Sequence, residues 1–466
     1  MSEPQRKLNL LDVVCINVGI IIGAGIYESP PFVASNTSGP MVLLALWVLG
    51  GLAALLGSIC YAELTSAYPR QGGEYVFLRE AYGGGVGFLF AWADLWIIRP
   101  GNIGTMAFVF ANYAHQLLEL KATRVSTLVA ATLPIGILTL TNLLGVQSGK
   151  WTQNGLTIIK IFGLAAIIVT ALVLLPPAEG GGLFDPPSAT NSDGSSSGSS
   201  AAPSVAMIVI MFIYGGWNEM SNVAAEMRDP QRTIVRGLVC SALTVAGIYV
   251  AANWAFLRVL GFEGLVKADA VAANVMEMRF GGAGRVLISA LICISSLGAI
   301  NGMLFTGPRI YYALGCNHRS LAWIGHWNSR WSVPARAIVL LSVVTVGMVS
   351  AFGIYEDGFT RLVNFTSPVF WLFFLMVGLA IFPLRRRSRD DNRDSSTFRV
   401  PGGPVIPALF CLISAGMCYA GVDYAIRMRS VEGLWSISVL ALGLAIVVVR
   451  RLQSGRGGQS VGPSGR

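Results

Sequence analysis

Apolar runs of about twenty residues or more recur along nearly the whole chain, separated by short polar stretches. A bilayer core about 30 Å thick needs ~20 apolar residues per helix, and the runs have that length. They predict twelve helices, at about 10–35, 41–68, 87–115, 127–145, 153–176, 204–227, 236–259, 286–314, 335–353, 359–384, 401–424 and 433–450. These are called spans one to twelve below. The first run follows a polar start of ten residues and lacks a small-residue cleavage site, so it reads as a span and not as a cleaved signal.

Composition narrows the class. Of 466 residues, 54% are apolar and 12% are charged, about half the ~25% charge of soluble domains. A disordered chain, a coiled coil and a disulfide scaffold are excluded. A soluble enzyme is nearly excluded, because too little polar surface remains to cover a globule. The seven cysteines (Cys15, Cys60, Cys240, Cys293, Cys316, Cys411, Cys418) fall in or at the ends of apolar runs and read as reduced packing residues.

The charge of +9 sorts by side. With the N-terminus in the cytoplasm, 22 of the 33 Lys and Arg fall in cytoplasmic segments, eight in outer segments, and three (Arg99, Lys160, Arg361) within helices. That asymmetry fits the positive-inside rule with both termini cytoplasmic in a cell membrane. Eleven or thirteen helices would scramble it. The expected organisation is an N-terminal tail (1–9), spans one to five (10–176), a flexible outer loop (177–203), spans six to ten (204–384), a basic cytoplasmic loop (385–400), spans eleven and twelve (401–450) and a C-terminal tail (451–466).

Two spans carry glycine interruptions. Span one contains Gly19-Ile-Ile-Ile-Gly23-Ala-Gly25-Ile-Tyr-Glu-Ser, and span six contains Phe212-Ile-Tyr-Gly215-Gly216-Trp-Asn-Glu-Met-Ser. They lie five helices apart. An odd offset makes the two copies enter the membrane from opposite sides, which is the pattern of an inverted repeat with helices broken at the midplane. A break frees backbone N–H and C=O groups that lipid cannot satisfy, at several kcal/mol each. The half-helix after the break offers N–H groups to a carboxylate. The half before it offers carbonyls to an ammonium. Facing breaks therefore suit a zwitterion. Against this stands a packing reading, since Gly19-xxx-Gly23 is also a small-residue contact motif between helices.

Charge inside the apolar runs is the second signal. Lys160 lies about eight residues, ~12 Å of rise, from the cytoplasmic end of span five. It is expected to reach the carbonyls of the span-one break, where a sodium ion would otherwise sit; the alternative is a snorkelling lysine. Arg99, beside Pro100 and five residues after Asp94, reads as a structural ion pair. Arg361 reads as interfacial. His115, His318 and His326 are scattered. No metal cluster and no nucleophile–base constellation stands out, so neither an enzyme nor a cofactor is expected.

At these residues the chain resembles the L-amino acid transporter family of the amino acid–polyamine–organocation superfamily. Ile22-Gly23-Ala24-Gly25-Ile26-Tyr27-Glu28-Ser29-Pro30 resembles the family's first break. Tyr61-Ala62-Glu63-Leu64 with Pro69 and Gly72-Gly73-Glu74-Tyr75 resembles its next signature. Ile97-Ile98-Arg99-Pro100, Gln153-Asn154 with Lys160, Phe212-Ile213-Tyr214-Gly215-Gly216-Trp217-Asn218 with Glu226-Met227 and Asp229-Pro230, and Asn301-Gly302 through Phe305-Thr306 and Arg309 follow in the family's order. The likeness runs from residue 10 to about 450.

The resemblance implies an all-α polytopic membrane protein of twelve transmembrane helices. Its fold would be LeuT-like: a 5+5 inverted repeat with helices one and six broken, plus two peripheral helices. It implies sodium-independent exchange of neutral L-amino acids. Gly23, Ala24 and Gly25, flanked by Ile22 and Ile26, would receive the substrate carboxylate. Phe212, Ile213 and Tyr214, with Gly215 and Gly216, would frame the amino group and side chain, Phe212 being the outer gate. Asn102, Met106, Ser296, Gly298 and Asn301 would complete the pocket. Lys160 would couple binding to rocking. Ala24 stands where the family often has Ser. The loop His115 to Ser126 lacks the cysteine through which animal members pair with a heavy chain, so a stand-alone prokaryotic transporter is expected. The competing functions are a proton-coupled amino acid or polyamine symporter, and a sensor or channel-like protein without turnover.

Overall fold

The computed structural model describes residues 5–178, 202–355, 358–390, 397–427 and 431–457. Most of the expected loop 177–203 and part of the C-terminal tail and basic loop lie outside these residues.

Among the described residues the protein is built of helices. Nine are long and apolar enough to cross a membrane by length and composition, and Leu10–Ile21 and Pro203–Ile213 are shorter apolar helices. In chain order they are α1 (Leu10–Ile21), α2 (Gly25–Glu28), α3 (Pro30–Ser35), α4 (Pro40–Ala67), α5 (Gly73–Tyr82), α6 (Gly84–Ala93), α7 (Arg99–Leu117), α8 (Arg124–Leu143), α9 (Val146–Val169), α10 (Pro203–Ile213), α11 (Pro230–Lys267), α12 (Val271–Phe280), α13 (Gly282–Thr306), α14 (Pro308–Asn317), α15 (Ala335–Phe352), α16 (Gly358–Asp390), α17 (Val405–Arg427) and α18 (Val431–Gly457).

Local chemistry sets several boundaries. Asn9 caps α1 by accepting from the Asp12 N–H at 2.9 Å, while the Asp12 carboxylate accepts from the Asn9 N–H at 3.0 Å. Between α6 and α7 the chain widens into a π-helical turn, Asp94–Ile98, two residues before Pro100. A proline that cannot donate to the preceding turn is accommodated by such a widening. Span eight runs as one apolar stretch, Gly282–Asn317, through α13 and α14, with the helical Gly307 at their junction packed against the Arg99 side chain. The polar stretch 73–82 folds as α5, and 271–280 as α12; neither was expected as a helix from hydrophobicity. Span seven runs on past 259 to Lys267, with a kink at Gly261 (φ +68°).

The side chains are sorted inside out relative to a water-soluble protein. Leu133, Ile137 and Leu140 on α8, Phe162 and Val173 on and beyond α9, and Val343 on α15 face outward, while Asn17, Asp94, Arg99, Lys160, Glu226 and Arg309 are buried. That is the arrangement of a multi-pass membrane protein, whose polar groups must meet one another away from lipid. The cysteines are free, and Cys60, Cys293 and Cys411 are buried. On α4 the glycines form a packing face. A methyl at Gly57 would lie 2.5 Å from the Trp217 ring, and one at Gly51 would lie 3.2 Å from the Tyr214 hydroxyl. The stretch 210–217 lies flat against that face.

Candidate functional site

Both expected breaks are present. α1 ends at Ile21, Ile22 leaves the helix (φ −72°, ψ 84°), and α2 restarts at Gly25. The Gly23 N–H turns back to the Ile21 carbonyl at 2.8 Å. The N–H groups of Ala24, Gly25 and Ile26, at the start of the second half, have no acceptor among the described residues. α10 ends at Ile213, and the chain resumes as a 3-10 segment at Glu219–Glu226. Gly216 takes φ +104°, a conformation that costs glycine little and other residues much.

The two breaks touch. A methyl at Gly25 would lie 2.7 Å from Ile213 Cγ1, and one at Gly216 would lie 2.8 Å from Ile20 Cγ2. With its amide turned to donate, Asn17 meets the Gly216 and Trp217 carbonyls at 3.2 and 3.3 Å. Tyr249, from the middle of α11, donates its hydroxyl to the Ile21 carbonyl at 3.0 Å and lies 3.5 Å from the Ile213 carbonyl. One side chain thus spans the ends of both interrupted helices. The sequence reading missed Tyr249. Its signal was a lone hydroxyl in an apolar run, which must find an acceptor when buried.

α9 holds α1 through a ladder of polar contacts. Lys150 Nζ and Asn154 Nδ2 each lie 2.9 Å from the Asp12 carboxylate. Thr157 donates to the Cys15 carbonyl at 2.8 Å, and Lys160 Nζ to the Gly19 and Ile22 carbonyls at 2.6 and 2.9 Å. Positions 12, 15, 19 and 22 on one helix face 150, 154, 157 and 160 on the other. This three-and-four spacing keeps both seams in register. Lys160 is fully buried and does not snorkel; its ammonium occupies the carbonyls of the break. Ile22 O accepts a second donor, Ser295 Oγ, at 3.0 Å.

The remaining candidates divide. Met106 Sδ faces Gly23, 3.4 Å from where a methyl would stand, and Asn102 lies one turn before it on α7. The Ser296 hydroxyl is buried and has no protein partner. Ala24 and Ile26 are buried, while Gly23, Gly25 and Phe212 are partly accessible. Tyr214 faces away from the first break: its hydroxyl donates to the Trp47 carbonyl at 3.0 Å. Asn301 is taken up in an interhelical amide cluster. It donates to Gly149 O at 3.2 Å and Gln153 Oε1 at 2.9 Å, and accepts from Asn142 Nδ2 at 2.8 Å. Gly298 faces the ammonium at the first break, for a methyl there would lie 2.6 Å from Lys160 Cε and Nζ. Because that ammonium is pinned by two carbonyls, Gly298→Ala is expected to displace it and lower the melting temperature without preventing folding. Thermal unfolding in detergent checks this, and an unchanged melting temperature would show that the ammonium need not stay put.

Below the breaks lies a buried charge network. Arg99 binds Asp94 (Nε to Oδ2, 3.2 Å), as its sequence spacing foretold, and also Glu219 (2.7 Å). Tyr311 donates to Asp94 at 2.7 Å and Thr306 to Glu219 at 2.6 Å. Glu219 is thereby committed to Arg99 instead of facing the breaks. Arg309 binds Glu226 at 2.9 Å, with both side chains essentially inaccessible. Arg361, read as interfacial, pairs with Glu432 at 2.6 Å.

Comparison with known proteins agrees with this architecture. Residues 8–447 match the family described as amino acid permease. The chain is 30% identical over 442 residues to the human b(0,+)-type amino acid transporter 1, covering 94% of this chain and 87% of that protein. It is 25% identical over 419 residues to the serine/threonine exchanger SteT of Bacillus subtilis (strain 168), covering 87% and 88%. It is 28% identical over 439 residues to the cystine/glutamate transporter of Pongo abelii, covering 93% and 84%.

Proposed function

The chain belongs to the amino acid permease family, as a member of the L-amino acid transporter type, and from that premise we propose that it is a sodium-independent exchanger of neutral L-amino acids working by alternating access. It is a membrane transporter and not an enzyme. The reading takes α1–α3, α4, α6–α7, α8 and α9 as one five-span repeat. The second repeat is α10 with its 3-10 continuation, α11, α13–α14, α15 and α16. α17 and α18 are peripheral. This gives twelve spans in a LeuT-like order with both termini cytoplasmic.

One observation carries the sodium-independent part: the Lys160 ammonium sits on Gly19 O and Ile22 O, carbonyls of the kind that would otherwise hold a cation at such a break. The unpaired N–H groups of Ala24, Gly25 and Ile26 suit the substrate carboxylate. The end of α10 suits its amino group. Met106, Asn102 and Ser296 would line the side chain's space, and partly accessible Phe212 would close the outer side. Gly298 and Asn301 support the site from behind. No disulfide-linked heavy chain is expected, since the loop His115 to Ser126 offers no cysteine to one.

The test is uptake of a labelled neutral amino acid into proteoliposomes. Preloading with unlabelled amino acid is expected to accelerate uptake several-fold, equally in sodium and choline media. Equal uptake into empty vesicles overturns exchange. Uptake into empty vesicles driven by an imposed pH gradient would instead establish proton symport.

A further inference from the structure

Glu74 is a buried carboxylate with no cation in contact among the described residues. It stands at the start of α5, outside the candidate spans, and is 4% exposed. Its Oε1 accepts from the Tyr61 hydroxyl on α4 at 2.9 Å and from Asn218 Nδ2 at 2.8 Å. The charged groups around it are Glu219 on the 3-10 segment, Asp94 on the π-helical turn and Arg99 on α7. Tyr311 from α14 and Thr306 from α13 spend their hydroxyls on Asp94 and Glu219. α16 contributes the uncharged Phe374 ring, 6.0 Å from Tyr61. Arg99 directs Nε and both terminal nitrogens at Asp94 and Glu219 and none at Glu74.

Three ionised carboxylates and one guanidinium would leave two uncompensated negative charges in the protein interior, an arrangement that burial strongly disfavours. The hydrogen bonds show a matching deficit. Asn218 Oδ1 and Asn222 Oδ1 are buried without a donor. Asn218 is already bonded to Glu74. Asn222 Oδ1 lies beside the neighbouring residue, 2.6 Å from where a methyl on Gly73 would stand. The cluster therefore has two negative charges in excess beside acceptors that lack a hydrogen. Among the described residues no three His, Cys, Asp or Glu are grouped to hold a metal ion, and a proton on Glu74 would remove one of the two excess charges.

We propose that Glu74 is a proton-binding site, occupied while Asn218 and Glu219 pack against it and emptied when the 3-10 segment moves away. Burial, together with the Glu219 and Asp94 carboxylates, pushes the Glu74 carboxyl up to about 8. Separating the segment admits water and removes Glu219, so the affinity falls toward the ordinary carboxyl range. The sign follows from the higher proton affinity of the packed state. The proton's contribution to packing is fully present below the ordinary carboxyl value and is lost as pH rises through the elevated one. Alkaline pH thus favours separation, and each departure of the segment releases a proton. The inference concerns this cluster alone and holds whichever solute is carried.

The test is infrared difference spectroscopy on the purified full-length protein, titrated across roughly pH 6 to 10. The wild type is expected to show a protonated-carboxyl C=O band that disappears at alkaline pH. Glu74→Gln should lack that band at every pH. Glutamine keeps the acceptor for Tyr61 and Asn218 and supplies a fixed donor, so this variant should melt at the wild-type temperature in acid and lose the alkaline fall in Tm. The same titrating band persisting in Glu74→Gln would overturn the assignment. So would its absence from the wild type, a result that does not depend on the variant folding. Any effect of loading on amino acid uptake leaves both readouts untouched.

Discussion

Lys160→Ala is expected to slow amino acid exchange at least tenfold while leaving the protein folded. Among the described residues the ammonium and Ser295 Oγ are the side-chain donors to Ile22 O, and the ammonium is the side-chain donor to Gly19 O. A hydrogen bond from a charged group contributes about 1.5–3 kcal/mol. If one such bond differs between the ground state and the rate-limiting rearrangement, its loss of ~1.5 kcal/mol alone gives roughly a tenfold change in rate. The fold should survive, because Lys150, Asn154 and Thr157 still tie α9 to α1. Lys160→Met fills most of the same volume without a donor and should be as slow as Lys160→Ala. A near-normal rate in Lys160→Met would move the role from charge to packing. Near-normal rates in both would remove the coupling assignment. Counterflow rates at matched protein density, read beside thermal unfolding in detergent, separate these outcomes.

The two breaks and Lys160 were legible in the sequence for one physical reason. In an apolar environment a departure from hydrophobicity has to be answered nearby, so glycines at 23, 25, 215 and 216 announce freed backbone, and a lysine in an apolar run announces freed carbonyls. The same reasoning failed where the answer lies far along the chain. The Arg99–Asp94 pair was readable across five residues, but Glu219, 120 residues away, was not. Asn301 sits near the site by order along the chain, yet helix rotation turns it to Asn142 and Gln153. Rotation depends on contacts between helices and is not written in the local pattern. α5 was hidden because its ten residues carry no apolar stripe long enough to register as a span, although Tyr75, Val76, Phe77 and Leu78 are buried and Phe77 packs on the Tyr61 ring.

Arg309→Met is expected to be the most destabilising single change of those considered. Glu226 is completely inaccessible, and its carboxylate is held by Arg309 Nε at 2.9 Å and Nη2 at 3.1 Å, with Gln71 Nε2 at 2.9 Å as the remaining donor. Arg309 also donates to the Phe305 carbonyl and stacks 4.5 Å from the Phe305 ring. Removing one member of a buried pair strands the other charge and typically costs 3–5 kcal/mol, about the whole of which is the penalty on the survivor. The Arg309→Met protein should therefore unfold well below the wild type in detergent and reconstitute poorly. Adding Glu226→Gln removes the stranded charge while keeping the oxygen for Gln71, so the double variant should regain more than half of the lost melting temperature. That recovery is the diagnostic result, because independent sites would instead add their losses. A double variant no more stable than Arg309→Met would mean that packing around Phe305, and not charge, sets the cost. The distinction bears on transport. Glu226 closes the 3-10 segment onto α14, while Gln71 ties it to the turn before α5. A pair whose strength lies in charge can be separated only by a movement that admits water to both partners, and movement of the 3-10 segment relative to α14 and α5 would do that.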